Sequence, residues 1–317
     1  MEDLVTITPN PLLPNGVDVP FSKIESTLTL LARGGRRNAG APARAFTATV
    51  VVVGDGDRLT DASEALARLC EAEGVRAILI TQGDRAAPSA RVTDHAIGIS
   101  GLAPKYLNNA VAALRLSSLP TAVWWRGGSP DALRDIASLA DRLILDVVDP
   151  TAAWAIVDSI VEHTAVTDLR WTRLTRWRSV LAHLFDLPDV CRKPARKLSI
   201  VASDAFAARL FAGWLRSALR WGPDVAIDLR PSDRVDPRTL LDSVELDAGA
   251  QKIIVKMHHD RGCLEAEIVG HEASARIVPL GEGTLTAVIG EELGVRARDK
   301  AFELALAAAL EIPAWQA

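Results

Sequence analysis

The run Phe46-Thr47-Ala48-Thr49-Val50-Val51-Val52-Val53 constrains this chain more than any other stretch. It is β-branched and apolar at consecutive positions, not alternate ones. A strand of that kind must be buried on both faces, which is the environment of a parallel sheet. Gly54-Asp55-Gly56-Asp57 ends it, and Leu59 to Glu73 follows as a helix with Ala62, Leu66 and Leu69 inward and Gly74 as its stop. Val75 to Thr81 repeats the buried-strand pattern, and Val92 to Ser100 repeats it more weakly. Residues Pro104 to Ser117 then read as helix, Thr121 to Arg126 as strand, Asp131 to Ala140 as helix, Arg142 to Val147 as strand and Thr151 to His163 as helix. Strands alternating with helices of this length call for crossover units, and therefore for a mostly parallel, Rossmann-like sheet with helices on both faces.

The pattern changes in the second half. Asp189-Val190-Cys191-Arg192-Lys193-Pro194-Ala195-Arg196 is polar, basic and aperiodic, which suits a link between domains. Beyond it, Lys197 to Ala202 and Val225 to Leu229 read as strands around a helix at Asp204 to Leu219. Ile253 to His258, Cys263 to Val269 and Ala273 to Pro279 then form an antiparallel meander, with turns at Asp260-Arg261-Gly262 and Gly270-His271-Glu272. Helices at Leu285 to Leu293 and Arg298 to Glu311 close the chain. The expected organisation is α/β in two domains: residues 1–188, and residues 195–317 as mixed α/β with the meander. At the start, Pro9, Pro11, Pro14 and Pro20 predict irregular chain, Ser22 to Arg33 a helix, and Gly34 to Pro42 a basic loop.

At 317 residues, with 49% hydrophobic and 24% charged side chains, the chain is long enough for two globular cores. No apolar run has the length of a membrane span, and Met1-Glu2-Asp3-Leu4-Val5 lacks a signal peptide's basic start, so the expected location is the cytoplasm. The net charge of −4 comes from interspersed charges, which argues against nucleic acid as a partner. Cys70, Cys191 and Cys263 are too few and too scattered for a disulfide framework. Tryptophan is the unusual component, at eight residues against one tyrosine.

Most reactive patterns fail on spacing. Gly54-Asp55-Gly56 follows a buried strand as a dinucleotide fingerprint does, but Leu59 stands where the third glycine belongs and Gln82 stands where a ribose-binding acid belongs. A plain strand-to-helix turn explains the two glycines better. The loop at Arg36-Arg37 precedes its strand, whereas phosphate loops follow theirs. His258, His259, Cys263 and His271 match no standard zinc spacing, and adjacent strand histidines face opposite ways, so no metal or cofactor is expected. No Gly-x-Ser-x-Gly elbow is present, and Ser129-Pro130 reads as a helix cap. These failures shift weight from catalysis toward binding.

Asp168 to Asp186 is the remaining distinctive stretch. Trp171, Leu174, Trp177, Leu181, Leu184 and Phe185 recur at three-and-four spacing, which predicts one amphipathic helix of about four turns, capped by Thr167 or Asp168 and ended by Pro188. Two readings stay open. Interleaved tryptophan and arginine suit a protein-docking surface, and the same tryptophans suit a seam between domains, the commoner use of an amphipathic helix.

The residues Asp168-Leu169-Arg170-Trp171-Thr172-Arg173-Leu174-Thr175-Arg176-Trp177-Arg178, with Leu184-Phe185-Asp186, resemble the signature segment of the glucose-6-phosphate dehydrogenase assembly protein family, OpcA. Leu119-Pro120-Thr121-Ala122-Val123-Trp124-Trp125-Arg126-Gly127 and Leu139-Ala140-Asp141-Arg142-Leu143-Ile144-Leu145-Asp146 resemble two further segments of that family, in its order. One departure stands out: the family's proline between the second threonine and second tryptophan is Arg176 here. The resemblance implies a non-catalytic assembly factor and allosteric activator that binds glucose-6-phosphate dehydrogenase in the oxidative pentose phosphate pathway. On that basis Trp171, Arg173, Trp177 and Arg178 are the expected contact residues, supported by Trp124, Trp125 and Arg126. The rival expectation is a small-molecule enzyme, or a nucleotide or sugar-phosphate-binding protein, using the edge of the N-terminal sheet.

Overall fold

A computed structural model describes residues 12–39, 45–83, 88–187, 190, 195–234, 239–270, 276–281, 283–295, 297–313 and 315. Pro9, Pro11, Pro188, Cys191 and His271 lie outside these residues. The chain forms two compact units. The first comprises the described residues up to Val166 together with Leu293–Arg298, and the second those of 167–292 and from Asp299 onward. The expected boundary at residues 188–195 therefore differs from the observed division at Val166/Thr167, and the tryptophan-arginine stretch belongs to the second unit.

In the first unit the valine run becomes β2 (Ala48–Gly54), and Val50, Val51, Val52 and Val53 are all fully enclosed. Each such burial stabilises by roughly 1.5–3 kcal/mol. α2 (Gly56–Glu73) starts after Asp55 and stops at Gly74, whose φ of 67° is the left-handed C-cap conformation that glycine tolerates. β3 (Val75–Gln82), β5 (Ala96–Leu102), β6 (Thr121–Trp125) and β7 (Arg142–Leu145) complete the parallel core, in which β5, β3, β2, β6 and β7 are successive neighbours. Crossovers are made by α3 (Leu107–Leu114), α4 (Pro130–Ala137) and the short α5 (Thr151–Trp154) and α6 (Val157–Ile160). Ser129 caps α4 as expected, its hydroxyl accepting from Ala132 N at 3.2 Å with Pro130 at the first helical position.

Three strands extend this sheet beyond the sequence pattern. β1 (Val17–Val19) pairs antiparallel with β4 (Ser89–Val92), which pairs antiparallel with β5, and β8 (Ala165–Asp168) forms the far edge. Each has three or four residues, too short for a period to show. The expected loop from Gly34 is helical as far as Ala39, because α1 (Ile24–Ala39) continues through the double glycine.

The second unit begins with α7 (Leu169–Arg173) and α8 (Thr175–Phe185), where one continuous helix was expected. Its sheet has the order β10-β9-β11-β12-β13-β14. β9 (Lys197–Ala202) and β10 (Ala226–Pro231) are parallel, joined through α9 (Ala205–Ala218). β11 (Leu241–Asp247), β12 (Lys252–His258), β13 (Cys263–Val269) and β14 (Arg276–Pro279) form the antiparallel remainder. β11 was missed because its alternating Asp242, Ser243, Glu245 and Asp247 face outward, leaving Leu241, Val244 and Leu246 as a sparse apolar row. α10 (Leu285–Gly294) and α11 (Lys300–Leu310) follow.

Candidate functional site

The carboxyl ends of β2, β6 and β7 are the place where open α/β sheets receive ligands, and in the first unit a charged cluster fills it. Arg126, one residue past β6, is 6% exposed, and its main-chain N–H bonds Val53 O at 2.8 Å. Its guanidinium donates from Nε to Asp146 Oδ2 at 2.8 Å, from Nη2 to Asp61 Oδ2 at 3.1 Å, and from Nη1 to Asp61 Oδ1 and to Arg58 O. It also lies 4.9 Å from the centroid of Trp124, whose Nε1 donates to the same Asp146 Oδ2 at 3.1 Å. Arg58 closes the ring by donating to Asp146 O at 2.6 Å.

Gly54 is explained by this cluster. A Cβ there would come 3.0 Å from Arg126 Cβ, so the glycine admits the arginine and not a pyrophosphate. Asp55 precedes α2 in an extended conformation without accepting a capping bond. Gly128, at φ 129°, is also required, since a Cβ would lie 2.6 Å from the Trp125 ring. Trp124 and Trp125 are 0% and 1% exposed, which makes them framework for Arg126.

The second cluster lies within the second unit. Asp168 is fully buried, caps α7 by accepting from Arg170 N at 2.9 Å, and pairs with the Arg170 guanidinium, which also donates to Asp204 Oδ2 at 2.8 Å. Trp171, 2% exposed, donates from Nε1 to Asp299 Oδ2 at 2.7 Å and packs edge-on to Phe302. The other oxygen of Asp299 caps α11 through Ala301 N and Phe302 N, so one carboxylate ties two helices together. Trp177 is fully enclosed against Phe211. Thr172 donates to the buried Glu292.

The break between α7 and α8 follows from Arg178. Its guanidinium stacks 3.5 Å from the Trp171 centroid, and Nη2 donates to Trp171 O at 3.2 Å and to Thr175 Oγ1 at 3.1 Å. This side chain, together with the Leu174 N–H at 3.2 Å, takes up the carbonyl that the backbone N–H of Thr175 would serve in an unbroken helix. Burial lowers the Arg178 guanidinium pKa to about 10, opposed by the charges of Asp299, Glu291 and Glu292. Arg173 is half-buried and donates to Gly283 O at 3.0 Å. Arg176 is exposed, as the second residue of α8. Proline is tolerated in that first turn, so arginine in its place leaves the helix start intact. Burial and the neighbouring Glu292 raise the Glu291 pKa, while Arg176 and Arg178 pull it down.

The structure therefore groups Trp124, Trp125 and Arg126 in one cluster and Trp171, Arg173, Trp177 and Arg178 in another. All four tryptophans are enclosed, so none presents a free face. Sequence reasoning missed Asp61, Asp146, Asp204 and Asp299, the carboxylates that hold the arginines and Trp171, and Glu292, which accepts from Thr172. Asp204 and Asp299, each just before an apolar-periodic run, carried a legible cap signal. In the hairpin His258 pairs with Glu265 and His259 with Asp242, while His271 lies outside the described residues.

Residues 164–306 match the family described as the C-terminal domain of a glucose-6-phosphate dehydrogenase subunit, OpcA. The chain is 29% identical over 142 residues to an OxPP cycle protein OpcA of Nostoc punctiforme, a match covering 40% of this chain and 30% of that protein. It is 28% identical over 130 residues to the OpcA protein of a Synechocystis species, covering 37% and 27%. The matches thus span under a third of those OpcA relatives' own length. Among solved structures, the fold resembles a 3-ketoreductase from Actinomadura kijaniata (TM-score 0.52, 10% identity, 83% of this chain and 95% of that one). It also resembles a levoglucosan dehydrogenase (TM-score 0.53, 10% identity, 84% and 95%). At that identity the likeness is one of fold.

Proposed function

We propose that this chain binds glucose-6-phosphate dehydrogenase and shifts it toward its active assembly without catalysing a reaction itself. The observation that carries this reading is the match of residues 164–306 to the OpcA domain of a dehydrogenase subunit. The physical mechanism is linkage: a protein that binds the active assembly more tightly than the inactive one raises the active population by that difference in affinity.

Burial refines the expected contact. Trp171 and Trp177 act as the frame behind α7 and α8, while exposed Arg176 and the half-buried Arg173 and Arg178 supply the charge that meets the partner. Such charges contribute mostly to encounter rate and register. Trp124, Trp125 and Arg126 support a surface of the first unit in the same way. Against the nucleotide-binding alternative stands the filled carboxyl end of the first sheet, where Arg126, Asp61 and Asp146 satisfy one another and Asp55 would repel a phosphate.

The test is co-purification with the organism's own glucose-6-phosphate dehydrogenase, comparing the wild-type chain with Arg176→Glu. Co-elution of the wild type and weaker retention of the variant support the reading. Equal retention removes α8 from the contact, and no retention of either overturns the partner. Calorimetry with NADP and glucose 6-phosphate serves the alternative, which requires binding and turnover by the chain alone.

A further inference from the structure

The second unit's sheet has one covered face and one open face. Leu198, Val244, Val255 and Leu264, one from each of β9, β11, β12 and β13, are buried in a single core with Phe211 of α9. The alternate residues of these strands point the other way. Registers Lys197↔Asp247, Asp247↔Lys252 and Lys252↔Val269 join them into one continuous outer face. Along that face β11 is acidic, with Glu245 and Asp247. β12 is basic, with Lys252 and Lys256, and β13 is acidic again, with Glu265 and Glu267. Lys256 and Glu267 are exposed, and the other four are half-buried.

A sheet face that meets only water is polar at its outward positions. This one carries Ile254 between the two lysines of β12, Val269 at 46% exposure and Ile277 of β14 at 62%. Lys252 Nζ meets Glu245 Oε1 at 2.7 Å and Lys197 Nζ meets Asp228 Oδ2 at 2.9 Å, so the charged ends lie across neighbouring strands. A hollow of about 190 Å³ opens among β9, β10 and β11, bordered by Lys197 and Arg230. Six strands about 4.8 Å apart and about 20 Å long offer roughly 600 Å² before side-chain relief is counted. That is on the scale of the ~800 Å² each partner gives to a standard interface. A surface of one sign would meet like charge on β11 or on β12, whereas a second copy carries both signs in matching columns.

A two-fold axis running along the strands between β11 and β12 exchanges these columns. Each acidic β11 then lies over the other copy's basic β12, with Asp247 opposite Lys252. β13 lies over the other copy's β9, which brings Glu265 and Glu267 to the hollow bordered by Lys197 and Arg230. An axis across the strands would instead lay β12 on itself, lysine against lysine. We propose that the outer face of this sheet joins two copies of the chain in an isologous dimer, β11 of each over β12 of the other, with the two sheets aligned. The proposal does not depend on the dehydrogenase as partner.

Analytical ultracentrifugation of the full chain should show a reversible equilibrium between monomer and dimer. Glu245→Lys with Asp247→Lys, or Lys252→Glu with Lys256→Glu, should weaken self-association by about tenfold or more, because like charges then face each other across the axis. Mixed together, the copy basic on both strands and the copy acidic on both should pair as a heterodimer, and the chain carrying all four substitutions should regain the homodimer. Should either pair of substitutions fail to fold, carbodiimide coupling in a mixture of isotopically light and heavy wild-type chains decides, the expected product joining Lys252 of one copy to Asp247 of the other. A wild type that stays monomeric to about 100 μM, a dimer indifferent to both pairs of substitutions, folded variants that do not recombine, or coupling confined to single chains overturns the proposal.

Discussion

Arg126 has three acceptor groups around one guanidinium, Asp61, Asp146 and the carbonyl of Arg58, and almost no exposure of its own. Removing Arg126 leaves the part-buried Asp146 carboxylate and the Arg58 carbonyl without their donor, while the half-exposed Asp61 rehydrates, so Arg126→Ala should lower stability by about 2 kcal/mol, read from the urea midpoint. An unchanged midpoint would mean that the cluster does not brace the sheet end. Cys70 is a second residue whose surroundings fix its chemistry. Burial, with smaller contributions from Asp94 and Glu71, pushes its thiol up to about 12. The thiolate is the reactive form, so at pH 8 only about one thiol in ten thousand is ionised. Iodoacetamide at that pH should spare Cys70 in the native chain and modify it once urea unfolds the protein. Fast native labelling would contradict the burial argument. Redox control through this residue is correspondingly disfavoured.

At the scale of elements, α9 and α11 of the second unit approach so closely that a Cβ on Gly213 would come 2.7 Å from Ala309 N. Gly213→Ala must therefore push the helices apart, at a cost of about 1–3 kcal/mol, visible as a lower thermal midpoint. A neutral or stabilising effect, as helix propensity alone would give, would contradict the close packing. The tryptophan-arginine segment separates frame from surface in the same way. Trp177→Ala should destabilise by about 3–5 kcal/mol, whereas Arg176→Ala should stay within about 0.5 kcal/mol and be read in partner binding instead. The periodicity of Trp171, Leu174 and Trp177 made this segment legible as an inward face, and the valine run made the parallel sheet legible. The helix break at Leu174 was not legible, because it depends on Arg178 reaching back to the Trp171 carbonyl. Nor were the carboxylates: Asp146 and Asp204 meet their arginines across 20 and 34 residues, a separation that no local pattern records. β1, β4 and β8 are defined by their neighbours in the sheet more than by their own three or four residues.

For the molecule as a whole, two α/β units carry clusters in which tryptophan and arginine are held by carboxylates, and the second unit contains most of the segment shared with OpcA. Among the described residues no helix is long and apolar enough to cross a membrane. A chain that acts by binding must alter its partner's behaviour in proportion to its occupancy and must do nothing to the substrate alone. The most direct test is the steady-state rate of the organism's glucose-6-phosphate dehydrogenase, at fixed enzyme concentration, as this chain is added. The account predicts a saturable rise that parallels formation of the complex, with no turnover by this chain in the absence of the dehydrogenase. A flat rate at concentrations where the two proteins co-elute, or NADP reduction by this chain alone, would contradict it.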